Sequence, residues 1–280
     1  MINHYPSWAE IVHNALAEDI GRGDITTNAL IDSGREIKAV LVAREDMVVC
    51  GLPVFSEVFR AVDSRVRIMP HLPDGSGALA GNEICSVRGP ARAILTAERV
   101  ALNFFQNLSA VASLTRCFVE KVTGTHAHIV DTRKTAPGLR LLQKYAVRIG
   151  GGYNHRMGLD DGILIKDNHI AIVGSIKEAV RRCREGVSHL HRIEVECDTL
   201  EQVRETLEAG AHIILLDNMD LPTLRQAVAL ASGRALLEVS GNISLDNVRE
   251  VAETGVDLIS VGIITRSAGS RDVTLAVTSE

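Results

Sequence analysis

The chemistry-bearing residues of this chain are concentrated in one stretch. Residues 131–170, DTRKTAPGLRLLQKYAVRIGGGYNHRMGLDDGILIKDNHI, hold Arg133, Lys134, Arg140, Lys144, Arg148, His155, Arg156, Lys166 and His169, in a chain whose formal net charge is −5. Glycine or proline pins two of the clusters, TRKTAPG and GGGYNHRMG. Arginine forks match carboxylates and phosphates bidentately, and lysine supplies a movable point charge. Any one of these cations alone reads as a solvated surface charge. Together, Arg133, Lys134, Arg156 and Lys166 follow or end the first two apolar runs of a repeat, where they suit a highly anionic small molecule. His155 takes its interest from Arg156 beside it.

Downstream, Glu196 and Asp217 end the third and fourth runs. They could bind sugar hydroxyls, hold Mg²⁺ through oxygen, or balance the cations opposite. Glu194 shares the strand face of Glu196 by the period of two, which is unusual in a buried sheet; one of the pair could point inward and the other form a structural ion pair. The last two runs end in SGN (Ser240, Gly241, Asn242) and VGI (Val261, Gly262, Ile263), small enough for backbone N–H groups to approach an oxyanion. Phosphate sites in barrels often follow the last two strands. The outline is a ligand with several negative groups at one end, hydroxyls in the middle and a phosphate at the other, as in a phosphosugar carrying a diphosphate.

The elements that must position these residues follow from periodicity. Apolar runs HIVD, ILIK, RIEVE, HIILLD, LLEVS and LISVG alternate with helical segments at 139–149, 175–184, 200–209, 221–231 and 245–254, with Asp220 as an N-cap. Repeated β-then-α units mean a parallel sheet, either open and doubly wound or closed as a barrel. Every run ends in a chemically capable residue, which favours a barrel, whose strand ends all face one mouth. Before this, the chain opens with an amphipathic helix closed by DIGRGD. It continues with strands IKAVLV and MVVCG, a helix at 53–62, and strands VRIM and ICSV, an α+β pattern. Residues 91–122 show long helical periodicity, broken near Ser109, and connect the two parts.

Hydrophobic residues make up 46% of the 280 and aromatics 3%, so the core is built of Leu, Ile, Val and Ala. The acidic balance and the lack of long Lys/Arg runs speak against nucleic-acid or membrane-surface binding. No apolar run is of membrane-spanning length, and the N-terminus lacks a secretory pattern. Five cysteines without C-x-x-C spacing are read as reduced thiols of a cytoplasmic protein.

The ordered blocks EDIGRGDITT, AERVALNFFQNLSAVASLT, TRKTAPGLR, KYAVRIGGGYNHRMGL, ILIKDNHI, EVEC, LLDNM, EVSGNI and ISVG resemble the quinolinate phosphoribosyltransferase family along the whole chain. The resemblance implies an α/β fold: an N-terminal α+β sandwich with interdomain helices over 1–110, an incomplete parallel α/β barrel over 111–265, and a segment 266–280 returning to the first domain. It implies transfer of phosphoribose from 5-phosphoribosyl 1-diphosphate to quinolinate with Mg²⁺, followed by loss of CO₂. A homodimer with a shared active site is also implied, Arg99 being the residue lent to the partner.

By the same resemblance, Arg99, Arg133, His155, Arg156 and Lys166 hold the quinolinate carboxylates. Lys134 and Lys166 face the diphosphate, and Thr132 is a further substrate-binding residue. Glu196 and Asp217 hold the ribose hydroxyls directly or through Mg²⁺, and Ser240, Gly241, Asn242, Val261, Gly262 and Ile263 cradle the 5-phosphate. Lys134, Lys166, Glu196 and Asp217 form the catalytic set. Asn242 stands where many relatives have a second glycine, and Ile263 with Ile264 replaces a smaller pair, which puts the fine geometry of the phosphate loops in question. Two other activities fit parts of the pattern: a lyase using Lys166 as a Schiff base, and a non-catalytic phosphoribosyl-ligand sensor.

Overall fold

The apolar run AVLVA makes most of strand β1 (Glu36–Ala43), an inner strand of an antiparallel sheet, with Ala39, Val40 and Leu41 all buried. The computed structural model describes residues 7–278. Its first elements are α1 (Trp8–Ile20), α2 (Ile25–Leu30), β1, β2 (Met47–Val48), α3 (Leu52–Val62), β3 (Arg67–Pro70), β4 (Gly77–Ala78), β5 (Glu83–Pro90) and α4 (Ala91–Lys121). β1 pairs with β5 on one side and, on the other, with the last strand of the chain, Val273–Thr278; β3 flanks β5. Phe55 and Phe59 of α3 and Phe105 of α4 stack edge-to-face in the core at centroid separations of 5.0 and 5.9 Å.

Two local readings change here. α4 runs through Ser109 without a break. The polar residues that suggested an interruption are absorbed: the Ser109 hydroxyl accepts from Cys50 N and donates to Cys50 O, each at 3.1 Å, and those of Ser113 and Thr115 donate to carbonyls four residues back. After DIGRGD the chain enters the short helix α2, capped by the Asp24 carboxylate accepting from Thr27 N at 2.9 Å.

The second set of elements is β6 (His128–Val130), α5 (Arg140–Gly150), β7 (Ile163–Ile165), α6 (Asp167–Val173), α7 (Ile176–Gly186), β8 (Ile193–Cys197), α8 (Leu200–Ala209), β9 (Ile213–Asp217), α9 (Leu221–Ala231), β10 (Leu236–Ser240), α10 (Val248–Ala252), β11 (Leu258–Ser260), α11 (Ile263–Arg266) and β12 (Val273–Thr278). Six parallel strands lie in the order β6-β11-β10-β9-β8-β7. β6 and β7, consecutive in the chain, are the two edges, so this is a partial α/β barrel with a seam. The chain leaves it after Lys134, and residues 135–151, including α5, group with the N-terminal sheet and its helices. It returns at Tyr153, which makes one parallel bridge to Val130. Ser175, Thr199 and Asp220 cap α7, α8 and α9 with their side chains. The KDNHI block forms α6, a helix absent from the sequence reading.

α5 and α4 meet at backbone distance. A Cβ on Gly150 would lie 2.5 Å from Ala112 O and 2.6 Å from Thr115 Cβ, with helical backbone on both sides and no flexible tip to yield. Gly150→Ala should therefore cost about 1–3 kcal/mol by overpacking. Gly34→Ala, where nothing lies within 4 Å, should be nearly neutral; thermal melts of both variants check the contrast.

Candidate active site

The period of two along each parallel strand turns alternate residues into the barrel. Val195, Ile214, Leu216, Leu237, Val239 and Ile259 are buried on the helix-facing side. Leu164, Glu194, Glu196, Leu215, Asp217, Glu238, Ser240 and Ser260 line cavities on the other. A cavity of about 420 Å³ opens among the strand C-termini, walled by Thr132, Arg133, Lys134, His155, Arg156, Lys166, Glu196, Asp217, Glu238, Ser240 and Ser260. Eight of the residues singled out from sequence thus converge with Thr132 on one space, although more than 100 positions separate the first from the last.

On the cationic side, the Thr132 hydroxyl accepts from Lys134 N at 3.0 Å, a local turn that orients Lys134. Gly262 lies against it: a Cβ there would be 3.2 Å from Lys134 Cδ. Lys166 forms an ion pair with Glu196. Arg156 Nη1 donates to Gly162 O at 2.9 Å. Burial and the neighbouring Arg133 charge push the Arg156 guanidinium below its ordinary value. Two guanidinium groups close enough to repel favour an anion that answers both.

A deeper polar layer lies beneath. Asp131, fully buried, accepts from Asn154 Nδ2 at 2.6 Å and from His155 N at 2.8 Å. His155 Nδ1 accepts from Arg156 N at 2.7 Å, and Nε2 lies 3.0 Å from Glu194 Oε2 and 3.7 Å from Glu238 Oε1. Glu194 and Glu196 therefore both point inward, Glu194 to the His155 imidazole and Glu196 to the cavity, where it pairs with Lys166. Glu238 escaped the sequence reading. Its signal was an acidic residue in mid-strand on the same face as Ser240, the same anomaly as Glu194.

The phosphate loops divide. Ser240 lines the main cavity, whereas Gly241 and Asn242 line a separate space of about 490 Å³ with Asn218 and Asn247. Asn242 takes the left-handed conformation, φ 51°, which asparagine tolerates better than other side chains, so it keeps a backbone suited to glycine. Its Nδ2 donates to Asn218 Oδ1 at 3.1 Å, and Asn218 Nδ2 donates to Asp217 Oδ2 at 2.7 Å. Asn218, unnoticed in the sequence, thereby ties the loop to Asp217. A Cβ on Gly241 would overlap the Asn218 side chain. Val261 is 1% exposed and its N–H donates to Val130 O at 2.9 Å, so it closes the sheet and has no N–H to offer a phosphate. Ile263 begins α11. Arg99 is an exposed residue of α4.

Glu196 and Asp217 stand on adjacent strands and offer carboxylate oxygens to the cavity. This all-oxygen donor set suits a hard cation such as Mg²⁺ that keeps waters and shares substrate oxygens. Among the described residues no helix is long and apolar enough to cross a membrane.

Known proteins place this arrangement in context. The family model described as "Quinolinate phosphoribosyl transferase, C-terminal domain" matches residues 111–276, and the corresponding N-terminal-domain model matches residues 24–109. The chain is 42% identical over 269 residues to the probable nicotinate-nucleotide pyrophosphorylase [carboxylating] of Bacillus subtilis, covering 96% of this chain and 93% of that one. It is 44% identical over 274 residues to the enzyme of that name from Mycobacterium leprae, covering 95% of each. The crystal structure of nicotinate-nucleotide pyrophosphorylase from Ehrlichia chaffeensis superposes with a TM-score of 0.93 at 45% identity, covering 97% of this chain and 99% of that one.

Burial, and then the charge of Glu194, push the Glu238 carboxyl up to about 8. The folded protein holds this proton where the unfolded chain has lost it. The resulting stabilisation is complete below the ordinary carboxylate range and disappears as pH rises through about 8. Glu238→Gln keeps the neutral shape and removes the titration. Its melting temperature should gain on the wild type between about pH 5 and pH 9; a difference independent of pH would contradict the protonated state.

Proposed function

The chain belongs to the quinolinate phosphoribosyltransferase family, and on that premise we propose that it transfers phosphoribose from 5-phosphoribosyl 1-diphosphate to quinolinate, yielding nicotinate mononucleotide, diphosphate and CO₂ for NAD biosynthesis. The observation that carries this reading is the single cavity in which Arg133, Lys134, Arg156 and Lys166 face Glu196, Asp217 and Ser240. It offers cations for a dicarboxylate and a diphosphate, and carboxylates for ribose hydroxyls.

In this proposal Arg133 and Arg156 grip the quinolinate carboxylates, with Lys166 at the rim. Lys134 faces the diphosphate. Glu196 and Asp217 hold the ribose hydroxyls and, with substrate oxygens, Mg²⁺, which when bound neutralises charge on the leaving diphosphate. As the bond from ribose C1 to the diphosphate oxygen breaks, C1 gains oxocarbenium character that the two carboxylates stabilise. The pyridine nitrogen then bonds to C1 and becomes cationic. The adjacent carboxylate leaves as CO₂, its electron pair stays on the ring carbon beside that cation, and a proton from solvent takes the vacated place. No covalent nucleophile is needed; orientation and electrostatics do the work. The working form is a homodimer in which Arg99 of each subunit completes its partner's dicarboxylate grip.

Release of ¹⁴CO₂ from carboxyl-labelled quinolinate should depend on the phosphoribosyl donor and on Mg²⁺; donor-independent release, or none at all, would overturn the assignment. Lys134→Ala should lower kcat by about 10²–10³, the scale of one lost oxyanion donor, so near-normal turnover would remove its role. Mixing Arg99→Ala subunits with Lys166→Ala subunits should restore partial activity once heterodimers form, and failure to complement would refute the shared site.

A further inference from the structure

Resting on the quinolinate reading, we propose that Asn218 and Asn242 are positioning residues: together they fasten the loop after β10, assigned to the 5-phosphate, to the Asp217 carboxylate that meets the ribose. The backbone marks the pair. Among the described residues only Asn218, Asn242 and Ser232 take positive φ without being glycine, at 53°, 51° and 45°. Ser232 is the C-cap of α9. The other two stand just past the ends of the adjacent strands β9 and β10. A left-handed residue with a side chain is strained and persists where its surroundings hold it. Glycine would take either position without that strain, so what asparagine adds there is its amide.

The amides form a directed chain. A carboxylate only accepts, so Asn218 must turn its Nδ2 to Asp217 Oδ2, at 2.7 Å. That leaves Asn218 Oδ1 toward Asn242, where it accepts from Asn242 Nδ2 at 3.1 Å. The Asn242 carbonyl accepts from Asn247 Nδ2 at 2.9 Å, and Asn247 Oδ1 accepts from Ser244 N at 2.9 Å, so the N-cap of α10 holds the loop from its other side. Asn218 N donates to Ser240 O at 3.0 Å, a second tie between the two strand ends. Gly241 fits because it lacks a side chain: a Cβ there would lie 2.1 Å from Asn218 Oδ1. Asp217 lines the main cavity, whereas Asn218, Asn242 and Asn247 line the separate space of about 490 Å³. The asparagines thus stand outside the reacting space and act through Asp217. A phosphate that settles the loop also settles the rotation of the carboxylate, which turns remote binding energy into orientation of the ribose.

Glycine at either position accepts the positive φ, so the variants keep the backbone and lose the link. Asn242→Gly should slow nicotinate mononucleotide formation about fivefold in single turnovers at saturating substrates, the scale of one neutral hydrogen bond. Its Kd for 5-phosphoribosyl 1-diphosphate, measured by calorimetry, should stay within twofold of the wild type. Asn218→Gly should lose at least as much rate, and the double variant should be no more than twofold slower than Asn218→Gly. Asn242→Asp, equal in size but with no N–H for Asn218 Oδ1, should be no faster than Asn242→Gly. A rate within twofold of the wild type for Asn242→Gly, a loss confined to donor affinity, or losses that multiply in the double variant would overturn the proposal. In ¹H–¹⁵N spectra of the free protein labelled on asparagine, the Asn218 side-chain amide, assigned through Asn218→Gly, should shift in Asn242→Gly; an unmoved resonance would overturn it as well. A wild type that makes no nicotinate mononucleotide strikes the functional reading instead, and the spectra still test the link.

Discussion

Glu194 and Glu238 lie 4% and 2% exposed inside the barrel, where an isolated charged carboxylate costs on the order of several kcal/mol. How each is answered constrains everything above them. One answer is the His155 imidazole against Glu194; the other is a proton retained by Glu238. This compensation lets the interior of a parallel barrel be polar where packed Val and Leu would ordinarily fill it. It also delivers the 152–157 loop, with Arg156, to the cavity.

The upper layer repeats the theme with a different balance. Glu196 meets Lys166, and Asp217 takes a hydrogen bond from Asn218, while Arg133, Lys134 and Arg156 remain gathered on one side. The lower layer holds its carboxylates by hydrogen bonds and a retained proton, and the upper one sets four cations beside two carboxylates. A polyanionic substrate would supply the missing charge. Membership of the quinolinate phosphoribosyltransferase family, with near-complete coverage of relatives at 42–44% identity, accords with that surplus.

Much was legible in advance because strand and helix periods are local. The six runs from HIVD to LISVG became the six parallel strands, and 200–209 and 221–231 became α8 and α9 at the same bounds. That Lys134, Lys166, Glu196 and Asp217 would meet in one space was legible because strand ends in a barrel share one mouth. Where local rules misled, a distant partner had answered a polar group: Ser109 reads as a helix breaker until Cys50 supplies its hydrogen bonds. Val261 reads as a phosphate contact until Val130 takes its N–H.

By itself the sequence determined the family, the parallel-sheet architecture and the residue types at the strand ends, since all of these follow from periodicity and ordered motifs. Only the tertiary structure decided which strands are neighbours, and that the gap of the incomplete barrel falls between β6 and β7. It alone turned His155 toward Glu194, brought Glu238 beneath the cavity and tied Asn242 to Asp217 through Asn218. The reason is physical: a residue's partner, and hence its protonation and orientation, is set by groups many positions away that meet only when the sheet curves.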